Sequence, residues 1–144
     1  MKFGLMFSQQ VPPNSGISWQ EPYEDMIKCL PVAEELGYTS CFNVSHHAQK
    51  DGLCPGPLIA CAGAAAVTKN MRIGTGVLLV PMYAPLKLAE DIAVLDNLSG
   101  GRFVFGVAPG YVAYEFEAHG IPREQRVGRF EEALDLMTRA WTEE

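Results

Sequence analysis

The sequence has no CxxC pair, no HExxH and no Cys/His cluster at metal-ligand spacing, so no metal site is expected. Its four cysteines, Cys29, Cys41, Cys54 and Cys61, are too sparse for the disulfide framework of a small secreted domain and read as reduced thiols of a cytoplasmic protein. Basic residues are also scarce. Lys and Arg number 11 against 17 Asp and Glu, giving a net charge of -6, and they form no stripe that could track a phosphate backbone, which excludes nucleic acid as a partner. No apolar run is long enough to span a bilayer, and the N-terminus enters a strand-like segment without the apolar stretch of a signal peptide, so no membrane contact is expected. G-x-G-x-x-G and P-loop patterns are missing too, so neither a Rossmann site nor a phosphate-cradling loop is signalled.

What is present is a chain of 144 residues, 48% of them hydrophobic, enough for one domain with a real core. Four short apolar segments, Lys2 to Phe7, Ser40 to Val44, Met71 to Gly76 and Arg102 to Val107, alternate with four helical patterns. Such alternation is the signature of βαβ units on a parallel sheet whose strands are covered on both faces. The first helix is expected over Pro22 to Leu36, closed by Gly37, with a kink or a split at Pro31. The second, near Pro57 to Lys69, is crowded with Ala and Gly and can sit close to the sheet. The third runs from Pro85 to the Gly100-Gly101 stop. The fourth carries Val127, Phe130, Leu134, Met137 and Trp141 as an apolar stripe. A closed (β/α)8 barrel needs about 250 residues. Four βα units therefore predict an N-terminal half barrel spanning 1–144, a fragment with its first and fourth strands as open edges.

Barrels place their chemistry after the C-terminal ends of strands. After the second strand stand Ser45, His46 and His47, and imidazole is the side chain suited to proton transfer near neutral pH. Adjacent residues on extended backbone point apart, so one of the two faces the mouth and the pair does not share a metal. Without further context, two loop histidines read as solvated. After the third strand, Gly74 and Gly76 allow close approach of a flat ligand to backbone, or merely punctuate a loop. The long connection after the fourth strand holds Gly110, Glu115 and His119; long βα loops are commonly functional, although His119 itself reads as a plain surface residue. Arg123, Arg126 and Arg129 open the last helix, where salt bridges to Glu124, Glu131 and Glu132 are expected to offset the helix dipole, with a ligand phosphate as the sharper alternative.

In this order the segments resemble the bacterial luciferase-like monooxygenase family along essentially the whole chain. The resemblance runs through Met1-Lys2-Phe3-Gly4, Ala33-Glu34-Glu35-Leu36-Gly37-Tyr38, His46-His47, Arg72-Ile73-Gly74-Thr75-Gly76, Leu88-Ala89-Glu90-Asp91 and Leu95-Asp96-Asn97-Leu98-Ser99-Gly100-Gly101-Arg102-Phe103. It continues in Gly106, Gly110-Tyr111, Glu115-Phe116 and Arg129-Phe130-Glu131-Glu132. It implies a TIM-barrel oxidoreductase that uses reduced FMN from a separate flavin reductase, dioxygen and an organic substrate, and that forms homo-oligomers. The same resemblance leaves open an F420-dependent dehydrogenase and a non-catalytic flavin-binding half barrel. Carried over by motif, His46 and His47 are the catalytic candidates. Thr75, Gly76, Val77, Ala108, Gly110 and Glu115 are the cofactor-binding ones, with a non-prolyl cis peptide expected at Gly76-Val77. Three departures stand out. Ser45 replaces a common Glu, Ala108 stands where luciferase has a reactive thiol, and Pro109 takes the place of an Arg near the flavin phosphate. These argue against light emission while leaving flavin monooxygenation intact.

Overall fold

A computed structural model describes residues 1–143. In chain order the elements are β1 (Gly4–Phe7), α1 (Glu21–Glu35), β2 (Ser40–Asn43), α2 (Pro57–Val67), β3 (Arg72–Thr75), β4 (Leu78–Leu79), α3 (Pro85–Ser99), β5 (Phe103–Val104), β6 (Val107–Ala108), α4 (Ala113–Ala118) and α5 (Arg126–Thr142). Single 3-10 turns at Val80–Met82 and Arg123–Gln125 lead into α3 and α5. The main sheet has the order β1-β2-β3-β5, with every pair parallel. Its register sets Cys41 beside both Leu5 and Ile73, and Ile73 beside Phe103. Parallel neighbours require crossovers, and α1, α2 and α3 supply them.

Alternation along the strands sorts their side chains into two layers. Cys41 and Ile73 are fully buried and join Met26, Leu30 and Ala33 of α1, Ala60, Cys61 and Ala64 of α2, and Leu95 of α3. The small residues of α2 let its backbone approach the sheet so closely that the Cys61 thiol donates to the Gly74 carbonyl at 3.3 Å. A second cluster joins Leu78 and Val80 to Leu88, Ala89 and Ile92 of α3 and to Ala133 and Met137 of α5. At the N-terminal end of the sheet, Glu34 accepts the main-chain N–H groups of Lys69, Asn70 and Met71. Arg102 donates there to the carbonyls of Ala65, Met71 and Ser99, a cation on the carbonyl end of α2. Gly37, at φ 90°, closes α1 as expected, with Gly37 N–H on the Glu34 carbonyl and Tyr38 N–H on that of Ala33, the paired bonds of a Schellman motif.

Three expectations are corrected or narrowed. Of the two outcomes expected at Pro31 the split does not occur: one helix runs through it, with Met26 and Leu30 before the proline and Ala33 after it buried on a common face. The fourth strand is broken in two. At Gly106 the chain leaves β5, which pairs with β3, and continues as β6 in a separate ribbon with β4. The Gly106 carbonyl accepts from both Thr75 Oγ1 (2.7 Å) and Leu78 N–H (2.8 Å), and a Cβ at Gly106 would collide with the Thr75 carbonyl. Along α5 only Ala133 and Met137 are buried, while Val127 and Trp141 stay 45% and 44% exposed, so the stripe is covered only in its middle turns. The β1 and β5 edges are open, as anticipated for the first and fourth strands.

Candidate functional site

Because every strand runs the same way, the loops that follow β2, β3 and β6 emerge on one side of the molecule. The loop after β2 is pinned to its neighbours by main-chain bonds. Val44 N–H donates to the Phe7 carbonyl, His46 N–H to that of Leu53, and Val11 N–H to that of Asp51. Ala48, Leu53 and Cys54 take positive φ within it, a conformation uncommon for residues with a Cβ. That fixed loop delivers Ser45, His46 and His47 to the mouth.

The opposing wall is α4. Glu115 is fully buried, and its Oε1 lies 2.9 Å from His46 Nδ1 and 3.0 Å from the His47 main-chain N–H, which donates to it. With Glu115 ionised, the first contact places a proton on His46 Nδ1 and leaves Nε2 as the free ring atom. Glu115 Oε2 is buried without a hydrogen-bond partner, and so is Gln9 Oε1 at the end of β1. The Gln9 amide itself is held by Asn43 Oδ1 at 2.7 Å. His47 points elsewhere, as its position next to His46 on extended backbone predicts. Its ring is buried, with Nε2 3.3 Å from Ser45 Oγ and with Tyr83 and His119 edge-on. Burial pushes His47 below the ordinary imidazole range; the His119 and His46 rings push the same way, and the Glu115 carboxylate opposes them.

At the end of β3, the strand next to β2, lies an exposed apolar surface. The Gly76-Val77 peptide is cis, Gly76 N–H donates to the Asn43 carbonyl at 2.8 Å, and the missing Gly76 side chain faces the Phe42 Cβ and Met6 Cε atoms. Met6 and Val77 are 67% and 38% exposed, so this surface is open to a ligand. A cleft of about 410 Å³ adjoins the cluster, lined by Pro13, Ala48, Gln49, Lys50, Asp51 and Tyr114.

The structure brings His46, His47 and Glu115 together and sets Gly76 and Val77 at the end of β3 as an open ledge. Thr75 and Gly110 hold the frame: the Thr75 hydroxyl is buried on the Gly106 carbonyl, and Gly110, at φ +77°, lets the Phe116 ring pack where a Cβ would stand at 3.1 Å. Ala108 sits in β6 opposite Leu79. Two sequence expectations fail. His119 is not an idle surface residue, since its Nδ1 lies 2.8 Å from the Glu115 carbonyl and its ring packs on His47; the four-residue spacing to Glu115 on one short helix was the signal available. The arginines find no carboxylates among the described residues. Arg123, Arg126 and Arg129 donate instead to the carbonyls of Tyr111, Arg123 and Pro81, which lie before α4, in the turn before α5 and in the turn before α3. No group of three or more metal-ligating side chains occurs among the described residues, and none of their helices is long and apolar enough to cross a membrane.

Residues 1–144 match the family model of luciferase-like monooxygenases. The chain is 32% identical over 120 residues to the alkanal monooxygenase alpha chain of Photorhabdus laumondii, an alignment covering 83% of this chain and 33% of that one. In structure it resembles the monooxygenase RslO1 of Streptomyces bottropensis with a TM-score of 0.92 and 34% identity, over 100% of this chain and 44% of that chain. It also resembles the oxygenating constituent of 3,6-diketocamphane monooxygenase from Pseudomonas putida, a type II Baeyer-Villiger enzyme in complex with FMN, with a TM-score of 0.90 and 28% identity over 100% of this chain and 40% of that one. The four βα units thus have the fold of one part of a TIM barrel, and the chain spans 33% of this curated relative's length.

Proposed function

Since the chain belongs to the luciferase-like monooxygenase family, we propose that its β2 loop and α4 form the oxygenation side of an active site that uses reduced FMN, dioxygen and a small or medium organic substrate. The observation that carries this reading is the contact between His46 Nδ1 and the buried Glu115 carboxylate at 2.9 Å. A carboxylate behind an imidazole fixes the ring's tautomer and orientation and leaves the far nitrogen to meet a ligand.

The residues present fit the ring system of a flavin. The cis Gly76-Val77 segment with Met6 and Phe42 offers an apolar ledge at the end of β3, and the unpartnered oxygens of Glu115 and Gln9 mark polar ground at the same end of the strands. Ala108 and Pro109 themselves carry no charge, so a flavin phosphate would take its charge partners from other residues. When bound, reduced flavin supplies two electrons, so that one atom of dioxygen enters the substrate and the other leaves as water. His46 Nε2, 30% exposed as part of its ring, donates or accepts the proton at the mouth. His47, kept neutral by burial, braces the loop through Ser45. The cleft lined by Gln49, Lys50 and Tyr114 is the approach for substrate. A separate reductase supplies the reduced flavin in this reading.

Replacing His46 by Ala should leave FMN affinity close to wild type and reduce reductase-coupled oxygenation by about 10²–10⁴-fold, the usual worth of a positioned acid or base. Unchanged turnover would remove His46 from the chemistry. Titration with FMN and with F420 separates the monooxygenase reading from hydride transfer on the same scaffold.

A further inference from the structure

The three histidines of the sequence are all bound to one residue. Glu115 takes His46 Nδ1 and the His47 N–H on its carboxylate, and its main-chain carbonyl accepts from His119 Nδ1 at 2.8 Å. A carbonyl oxygen can only accept, so His119 carries its proton on Nδ1 and its tautomer is settled without reference to the rest of the site. Its ring meets His47 edge-on, with centroids 4.8 Å apart and planes at 86°. His119 ends α4 and faces solvent, whereas His47 is buried.

We propose that His119 is a positioning residue for His47: an exposed imidazole, anchored on Glu115, whose own charge opposes charge on the buried ring it touches. At 4.8 Å between ring centroids two imidazolium rings repel each other, with solvent on the His119 side screening part of the repulsion. A charge on the exposed ring then bears on the charge of the buried ring at the mouth through the contact between them. The groups facing His47 are few. His46 and Ser45 come from its own loop, Glu115 and His119 from α4, and Tyr83 follows the 3-10 turn before α3. Of these, Glu115 favours a proton on His47, while His119 and His46 disfavour one. Removing His119 therefore shifts the balance toward protonation.

The proposal rests on the assignment of the His46-His47 loop to the active site only for its catalytic consequence, so it is tested without flavin or turnover. Imidazole resonances of the intact chain are followed by NMR against pH in wild type, His119→Phe and His119→Gln. Phe preserves a ring against His47, and Gln preserves a donor to the Glu115 carbonyl. Both remove the charge. The expected result is an upward shift of the His47 midpoint in each folded variant, with the two variants agreeing. An unchanged midpoint in either folded variant, or a shift in Phe that Gln does not reproduce, overturns the coupling and leaves His119 as packing alone.

Discussion

Replacing Glu115 by Ala and by Gln tests the centre of the site through stability. The Ala variant loses the acceptor for the His47 main-chain N–H and for His46 Nδ1, at 3.0 and 2.9 Å. A hydrogen bond to a charged partner contributes about 1.5–3 kcal/mol; the buried His47 bond counts in full and the bond to the 30% exposed His46 ring for about half. Against this, Oε2 is buried without a partner, and its removal recovers about 1–3 kcal/mol, while the emptied space costs about 1 kcal/mol in lost packing. The net expectation for Ala is a loss of about 1–3 kcal/mol. Gln retains an oxygen for the His47 N–H and discharges the buried site, so it should lie within about 1 kcal/mol of wild type. Urea unfolding followed by far-UV circular dichroism reads both, and unchanged slopes license the comparison. An Ala variant as stable as the Gln variant would refute the picture of Glu115 as the acceptor that holds the loop.

Three other outcomes are expected. His47 is held below the ordinary imidazole range, chiefly by burial, so on acidification the unfolded chain takes the proton first; stability is complete above an unfolded value of about 6.5 and declines as pH falls through it, and His47→Asn should flatten that part of a stability-pH curve. A thiol reagent at mildly alkaline pH should label exposed Cys29 at once. Cys41 and Cys61, pushed up to about 11 and about 12 by burial, should react only on unfolding, and fast labelling of all four would contradict the core described above. Gly74→Ala sets a Cβ 2.6 Å from both the Phe42 ring and the Val104 carbonyl, and because backbone cannot yield it should cost about 1–3 kcal/mol in the same urea assay.

The sequence made the βα order, the helix stops at Gly37 and Gly100-Gly101 and the open edges legible, because each is encoded locally in periodicity or in a residue of special backbone freedom. The split allowed at Pro31 does not occur because residues buried on both sides of it hold one helix together. The break at Gly106 was hidden because its cause, the Thr75 carbonyl pressed against it, comes from another strand. The motif resemblance singles out His46, His47 and Glu115, but the bond between His46 and Glu115 is not legible in the sequence, since it spans 69 positions. His119 was misjudged for a related reason: its meaning depends on a buried ring it meets only in the folded chain.

That 69-position bond also bears on when the site comes into being. The histidine loop belongs to the second βα unit and Glu115 to the fourth, so neither unit alone can orient His46. The entropy of bringing such distant segments together is spent during folding, before any ligand arrives. A ligand then meets a ring already aimed, and the aiming of His46 reports the docking of α4 against the histidine loop.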